Sequence, residues 1–253
     1  MLLDSLRDAL YEAVSETASE TRVAVAFSGG VDSSLLARIC QDLGKEIILV
    51  TVGFPGSHDI QFSSTIAAKM AMKQRVFEIT IDDFQRKLET VQELTGCANT
   101  SHLENCVAYL YISKAAREDG MDVVLSGNGC DELFCGYNGY RVAYNNGENA
   151  LMKMMGEKIT NELELVAEIS NISRQFGVEV RQPFLSEKFV RFAKSIPIGR
   201  KIKGPDDTIR KHVLREAAME IGVPRESAMK PKKALQYGSL IHKHFKRIRA
   251  QRI

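Results

Sequence analysis

Short β-branched segments that alternate with helical patterns constrain the fold of this chain more than any other feature. Four segments are typical of strands with apolar side chains on both faces: residues 22–27, 46–52, 75–81 and 122–125. Helical patterns over residues 33–42, 60–72 and 101–119 separate them. A parallel sheet buried by helices on both faces produces this pattern. The sequence therefore predicts an α/β fold with a doubly wound parallel sheet.

The second part of the chain has a different pattern. Helices are expected at residues 150–175, 186–195 and 207–222, with one short extended piece at residues 178–183. We expect a single domain in which residues 1–145 form the α/β core and residues 146–253 add a helical layer. A ligand should bind at the carboxyl ends of the strands, where the helical layer closes the site.

The overall charge offers no support for a nucleic-acid or membrane partner. The formal net charge is +2 over 253 residues, and no segment is apolar for long enough to cross a bilayer. The first residues form an amphipathic helical pattern without the features of a secretion signal. A cytoplasmic protein is expected. The basic segment 241–253 is interpreted as a solvated helix face or frayed end.

Residues 28–34, Ser-Gly-Gly-Val-Asp-Ser-Ser, follow the first predicted strand and lead into a helix. Gly29 and Gly30 permit a tight turn and let a phosphate approach the backbone amides. The helix N-terminus favours an anion, and hydroxyl groups can be added by Ser28, Ser33 and Ser34. The carboxylate of Asp32 suits this place if it binds Mg²⁺ that bridges it to pyrophosphate. The loop lacks the lysine of a Walker motif.

A second constellation, Val-Leu-Ser-Gly-Asn-Gly-Cys-Asp-Glu-Leu-Phe-Cys-Gly-Tyr, occupies residues 124–137 after another predicted strand. It should lie at the same sheet edge as the first loop. Asp131 and Glu132 are paired acids beside a glycine-rich turn, and Asp131 is a candidate second ligand for Mg²⁺. Two acids at a helix start are equally compatible with a structural role that favours the helix dipole.

The first loop resembles the pyrophosphate loop of the N-type ATP pyrophosphatases, and the whole chain resembles the synthetase domain of asparagine synthetases. Further collinear matches are residues 51–59, 177–185, 211–215 and 230–238. The resemblance implies an adenine-nucleotide α-hydrolase-like, Rossmann-like fold that binds ATP and Mg²⁺. ATP would be cleaved between its α- and β-phosphates to adenylate a carboxylate, that of aspartate being one candidate, and an amine would displace AMP.

The resemblance also implies roles for individual residues. Val52 and Gly53 belong to the segment that is similar to the family's adenine-binding segment. The nucleotide site is completed by three residues: Ser126, Gly127 and Lys211. Lys232 is expected to neutralise charge on the α-phosphate as the acyl-adenylate forms.

Two departures from the family pattern affect the predicted chemistry. Asn128 stands where the family has a catalytic glutamate, and an amide cannot act as a general base. Glu168, from the helical part, is a candidate replacement. The sequence reaches its first strand at Val23 with no glutaminase segment before it, so ammonia is expected from solution or from a separate glutaminase subunit. A homodimer is compatible with the sequence.

Two alternative functions remain open at this point. The cysteines Cys97, Cys106, Cys130 and Cys135 lie in or just before the second constellation. They could hold an iron–sulfur cluster or carry sulfur, as in tRNA-modifying members of the superfamily. Their spacing is no recognised ligand set, so tRNA is not the expected partner. The other alternative is a nucleotide-binding protein without turnover, if Asn128 has removed the base.

Overall fold

The computed structural model describes residues 1–97 and 99–250. Within them one parallel sheet has the strand order β3-β2-β1-β4-β5. The strands are β1 (Arg22–Ala26), β2 (Glu46–Gly53), β3 (Gln74–Glu78), β4 (Val123–Leu125) and β5 (Glu179–Arg181). The chain runs outward from β1 to β3 and then returns to place β4 on the other side of β1. The fold is therefore doubly wound, as predicted, and its topological switch point lies between β1 and β4.

Helices cover both faces of this sheet. They are α1 (Leu2–Thr17), α2 (Val31–Asp42), α3 (His58–Lys69), α4 (Ile81–Thr95), α5 (Thr100–Glu118), α6 (Cys130–Leu133), α7 (Gly139–Tyr144), α8 (Glu148–Ser173), α9 (Glu187–Ser195), α10 (Ile198–Lys201), α11 (His212–Ile221), α12 (Arg225–Ala228), α13 (Leu235–Gly238) and α14 (Ile241–Ala250). Among the described residues, no helix is both long enough and apolar enough to pass through a membrane.

Alternating side chains of the strands divide the interior into two cores. Val23 and Val25 of β1 point to the face covered by α1, α2 and α11. Ala24 points to the opposite face, which packs against α4, α5 and α8. Val23, Ala24 and Val25 are all fully buried, because successive strand residues point in opposite directions and helices cover both faces of β1. This explains the continuous apolar runs in the sequence.

One predicted strand is confirmed within the sheet, and another differs from the prediction. The expected extended piece forms β5, which pairs in parallel with β4, so the part after residue 145 contributes a strand as well as helices. The third strand ends at Glu78 instead of residue 81, and the unpredicted helix α4 follows. Thr80 starts α4, since its hydroxyl accepts a hydrogen bond from the Asp83 amide at 3.3 Å. An N-cap threonine stops the strand and begins the helix.

The helix predicted at residues 207–222 begins only at His212. Asp207 instead forms a turn in which its carboxylate accepts hydrogen bonds from the Ile209 and Arg210 amides, each at 3.0 Å. Arg210 and Lys211 then adopt left-handed backbone conformations, with φ of 51° and 53°. Such conformations cost a non-glycine residue of the order of 1 kcal/mol each and cluster at functional sites. The turn directs Lys211 towards the switch point.

Candidate active site

The loop after β1 is a tight turn closed by its own serines. Gly29 has a left-handed φ of 70°, and a Cβ there would lie 3.0 Å from the Ser63 backbone. The Ser28 amide donates to Ser33 Oγ at 3.3 Å, and that hydroxyl donates to the Gly30 carbonyl at 3.2 Å. The turn leads into the N-terminus of α2, where backbone N–H groups and the helix dipole favour an anion.

The loop after β4 packs directly on the start of α2. A Cβ on Gly127 would lie 3.0 Å from the carbonyl carbon of Asp32 and 3.1 Å from its Cβ. Only glycine permits this approach of the two loops. Gly136 plays a similar role, because a Cβ there would overlap the carboxylate of Asp131. The glycines therefore allow the two aspartates to approach one centre.

Two lysines from the second part of the chain join these aspartates. Lys211 Nζ lies 2.6 Å from Asp32 Oδ2 and 2.6 Å from Asp131 Oδ1. Lys232 forms an ion pair with the other oxygen of Asp131. Lys211 is only 1% exposed, so its charge is stabilised by the two carboxylates and not by water.

The pKa shifts of this group follow from burial and from the opposite charges. Burial alone would raise the pKa of Asp131, but Lys211 and Lys232 outweigh it and hold that pKa well below its ordinary value. Burial alone would lower the pKa of Lys232, but Asp131 and Asp32 raise it. The pKa of Lys211 is raised by the same two aspartates. Asp131, Lys211 and Lys232 therefore stay charged at neutral pH. We call Asp32, Asp131, Lys211 and Lys232 the phosphate end of the site.

A different network lies beside Asn128. Asn128 Nδ2 donates a hydrogen bond to Glu162 Oε1 of α8 at 2.5 Å. Its Oδ1 accepts from the hydroxyl of Tyr109 at 2.9 Å and from that of Ser126. The amide is thus held in one orientation, with a carboxylate as its neighbour. We call Asn128, Glu162, Glu132 and Tyr109 the acceptor end of the site.

The acceptor end contains acids that are not balanced by lysines to the same degree. Burial, with the neighbouring carboxylates of Glu162 and Asp131, raises the pKa of Glu132 to about 8. Tyr137 donates a hydrogen bond to Glu132. Burial also raises the pKa of Glu162, although the hydrogen bond from Asn128 opposes that shift. Carboxyl groups with raised pKa values can exchange protons near neutral pH.

A cavity of about 250 Å³ connects the two ends. The residues from the sequence analysis that line it are Ser28, Asp32, Ser33, Val52, Ser126, Gly127, Asn128, Asp131 and Lys232. A smaller cavity of about 50 Å³ shares Ser28 and Asp32 with it and is also lined by Gly30 and Lys211. The basic side chains around the smaller cavity are Lys211, Arg215, Lys230, Lys232 and Lys233. It has the charge that a polyphosphate requires.

Four of the predicted site residues do not line these cavities. Gly29 shapes the turn, and Gly53 packs against Ser57 and Ser239. Ser34 is fully buried, and its Oγ accepts a hydrogen bond from Ser227 at 2.8 Å. Glu168 contacts His102 at 3.1 Å. The hydroxyl of Ser34 therefore faces the protein core and not the turn at residues 28–30.

Glu162, not Glu168, is the acidic side chain of α8 that faces Asn128. Both are glutamates of one long helix, and α8 carries several more. The spacing from Lys158 and Glu162 to Leu165, which all line the cavity, marks one helix face. That face could have been identified from the sequence by its i, i+4, i+7 spacing. The sequence could not show that this face points towards Asn128, because that depends on how α8 packs.

The phosphate end has suitable donors for Mg²⁺. Asp32 Oδ1 is buried and has no hydrogen-bond partner among the described residues. Asp131 faces it across the shared contact with Lys211. Carboxylate oxygens of this kind are the ligands that Mg²⁺ prefers, together with phosphate oxygens and water. The residues therefore fit the predicted ion.

The cysteines do not form one group. Cys130 and Cys135 are fully buried in the core on the α1 and α2 side of the sheet. Cys106 lies in the opposite core, and Cys97 precedes α5. All of them are free thiols. A single cluster held by all four cysteines, as one alternative required, is therefore incompatible with the fold.

Known proteins are similar to this chain over most of its length. The family described as Asparagine synthase matches residues 5–170 and 158–252. A Methanocaldococcus jannaschii protein named among the glutamine-hydrolyzing asparagine synthetases is 32% identical over 249 residues, which cover 86% of this chain and 46% of that protein. The asparagine synthetase [glutamine-hydrolyzing] of Brassica oleracea is 27% identical over 225 residues, 84% of this chain and 38% of that protein.

The similarity covers different fractions of this chain and of its relatives. This chain spans less than half the length of these relatives, while the family match extends across nearly all of the chain itself. The matched residues include both loops of the phosphate end and the lysines that join them. The chain therefore belongs to the asparagine synthase family.

Proposed function

We propose that this chain is an AMP-forming carbon–nitrogen ligase that adenylates a carboxylate with ATP, releases pyrophosphate and transfers the acyl group to an amine. The convergence of Asp32, Asp131, Lys211 and Lys232 at the switch point carries this proposal. These residues come from four separate segments, and they surround the N-terminus of α2. The arrangement supplies anion-binding amides, metal ligands and cations in one place.

In the first step, an oxygen of the substrate carboxylate attacks the α-phosphorus of ATP, and the bond to the pyrophosphate oxygen breaks. Negative charge grows on the phosphate oxygens during this step. Lys232 and Lys211 are positioned to stabilise that charge, because both are held in the site by Asp131. Mg²⁺ bound to Asp32 and Asp131 would neutralise the polyphosphate and help to orient it.

In the second step, the amine attacks the acyl carbon and AMP leaves with its electron pair. The attacking nitrogen must lose a proton, and Asn128 cannot accept it. We assign this role to Glu162, which contacts Asn128 at 2.5 Å and lines the cavity. The raised pKa of Glu162 makes its deprotonated form a stronger base. Asn128 then acts by holding the carboxylate in place.

We propose the identities of the acceptor carboxylate and of the amine from the names of the relatives. The relatives are named glutamine-hydrolyzing asparagine synthetases, so we propose the side-chain carboxylate of aspartate as acceptor and ammonia as nucleophile. Ammonia would reach the site from solution or from a separate glutaminase subunit. The apolar wall with Phe27, Val50 and Val52 is the proposed place of the adenine ring.

The proposal is tested by isotope exchange between pyrophosphate and ATP over a panel of carboxylates, with and without tRNA. We expect Mg²⁺-dependent exchange that requires one carboxylate, aspartate first among them, and no requirement for tRNA. Asp32→Asn should abolish the exchange, whereas the exposed Asp122→Asn should leave it intact. Exchange that requires tRNA would favour sulfur transfer instead. Absence of exchange with every carboxylate would refute adenylation.

A further inference from the structure

A second cluster of ligand-type side chains lies next to the acceptor end. It contains Cys97, His102 and Glu168, whose ligand atoms all lie within 4.8 Å of one another. The three residues come from separate segments: the turn after α4, the first turn of α5 and the last third of α8. A thiol, an imidazole and a carboxylate that converge from distant segments form a typical donor set for a transition metal.

A fourth donor points at the same carboxylate. His102 Nδ1 lies 3.1 Å from Glu168 Oε2, and Cys106 Sγ lies 3.7 Å from that same oxygen. His102 and Cys106 are four residues apart, so they lie on one face of α5. Glu168 also interacts with the Cys97 side chain. Cys106 thus adjoins the cluster through Glu168, while the ligand atoms of Cys97, His102 and Glu168 all lie within 4.8 Å of one another.

We propose that Cys97, His102 and Glu168, joined by Cys106 once its thiol turns from Glu168 towards the metal, form a zinc site that fastens the start of α5 to α8. Bonds of about 2.0–2.3 Å in a tetrahedral site separate the ligand atoms by about 3.3–3.8 Å. The contacts of 3.1 and 3.7 Å are close to that spacing. Thiolate and imidazole ligands favour zinc over Mg²⁺ or Ca²⁺, and four protein ligands define a structural site.

Zinc on His102 would also fix the tautomer of this buried imidazole. The residue is 4% exposed, and its Nε2 is buried without a hydrogen-bond partner among the described residues. Zinc on Nδ1 would fix the proton on Nε2. Because His102 lines the cavity, Nε2 would then be a fixed donor beside the acceptor end. The zinc site would thus stiffen one wall of the substrate cavity.

The same helix offers an internal comparison. His242 Nδ1 contacts Glu104 of α5 at 2.7 Å, so this pair has the same chemistry as His102 and Glu168. Among the described residues, however, it belongs to no group of three metal-ligand side chains. A histidine–glutamate contact alone is an ordinary ion pair. The thiols beside His102 make the difference.

The test uses the whole chain, stripped of metal with a chelator and then titrated with Zn²⁺ alone. We expect one tightly bound zinc per chain by elemental analysis and a higher Tm. Co²⁺ added in place of zinc should give the strong near-ultraviolet absorption of thiolate ligands and the visible bands of a tetrahedral ion. This spectrum needs no variant, so a folding defect cannot mask the result. A Co²⁺ spectrum without thiolate absorption, or no stoichiometric binding, would overturn the proposal.

Variants then identify the ligands. Cys97→Ser, Cys106→Ser and His102→Asn should each weaken zinc affinity by at least about 100-fold, because even residues that only support ligands contribute about 10–100-fold. The controls are Cys40→Ser, a buried thiol elsewhere in the core, and His242→Asn. Both should bind zinc like the unmodified chain. Equal affinity in the ligand and control variants would also overturn the proposal. None of these readouts depends on turnover, so the result is independent of the proposed ligase activity.

Discussion

The two ends of the cavity hold their charges in opposite ways. At the phosphate end, two aspartates and two lysines form ion pairs, and these pairs lower the pKa of Asp131 and raise those of Lys211 and Lys232. At the acceptor end, Glu132 and Glu162 are buried near each other, and burial raises both of their pKa values. One end is thus arranged to hold fixed charge, and the other to bind and release protons.

This difference separates the two half-reactions that we propose. Transfer of AMP needs fixed positive charge near the phosphates, which Lys211 and Lys232 provide. Attack by an amine needs a group that takes up a proton, for which Glu162 is suited. A change at the acceptor end should therefore leave adenylation intact, while a change at the phosphate end should damage both steps.

The largest effect that should separate the two half-reactions is at Glu162. Glu162→Gln should lower the rate of amide formation by about 10²–10⁴-fold, because it removes the proposed general base. Pyrophosphate–ATP exchange should stay close to normal. The remaining synthesis should rise steeply in alkaline solution, where free ammonia predominates over ammonium and hydroxide can take the proton. Steady-state kinetics of both reactions across pH measure these effects.

Two further variants sharpen the assignment of Glu162. Glu164→Gln changes an exposed glutamate of the same helix and should have no effect on either reaction. In the Glu162→Gln background, Asn128→Glu should recover part of the amide formation near neutral pH, because it restores a carboxylate at the family position. An unchanged rate in Glu162→Gln itself would show that another group accepts the proton.

A somewhat smaller effect is expected at Lys232. Lys232→Ala should lower kcat of both half-reactions by about 10²–10³-fold, the usual effect of losing one group that stabilises transition-state charge. The KM for ATP should change less. The exposed Lys153→Ala is the matched control. An effect confined to KM would mean that Lys232 only binds nucleotide.

The pH dependence of stability should distinguish the two ends as well. Folding raises the pKa of Glu132 from 4.5 to about 8, so its contribution is fully present below its unfolded pKa and is lost as pH rises through about 8. We expect the free energy of unfolding to fall by a few kcal/mol over that range, at about 1.4 kcal/mol per pKa unit. Denaturant unfolding of Glu132→Gln should show a flatter profile.

Asp131 should behave in the opposite way. Its folded pKa is lowered, so its contribution is present above its unfolded pKa and is lost as pH falls through the folded value. Acid should therefore weaken the phosphate end, and alkali the acceptor end. Identical pH profiles for the Glu132→Gln variant and the unmodified chain would contradict the contrast between the ends.

The smallest expected effect concerns the contact between the two loops. Gly127→Ala would bring a Cβ within 3.0 Å of Asp32, and we expect this crowding to cost about 1–3 kcal/mol of stability and to weaken ATP binding. Gly156→Ala is the control, since a Cβ on this helical glycine meets nothing within 4 Å. It should stabilise the chain by about 0.5–1 kcal/mol. Thermal unfolding and nucleotide titration measure both effects.

The fold and the loops of the phosphate end could be predicted because they depend on local sequence patterns. The apolar strands and the glycine turn at residues 28–34 depend on neighbours along the chain, and the structure confirms the doubly wound sheet. The late start of α11 was not predicted, because it depends on the Asp207 turn. That turn, with its left-handed Arg210 and Lys211, orients Lys211 towards both aspartates.

The acceptor end was much harder to predict. The sequence showed that Asn128 replaces the family's catalytic glutamate. It did not show which of the several glutamates of α8 could act as the base instead, and Glu168 was the candidate. Glu162 and Glu168 are six residues apart, so they point in different directions around the helix. Which one meets Asn128 depends on how α8 packs against α5 and β5. No local pattern encodes that orientation.

The central claim is that the chain links a carboxylate to AMP before an amine attacks. The most direct measurement follows isotopic oxygen from a labelled carboxylate substrate during turnover with Mg²⁺ and ATP. We expect one labelled oxygen in the phosphate of AMP, with pyrophosphate as the other product. Formation of ADP, or AMP that contains no labelled oxygen, would contradict it.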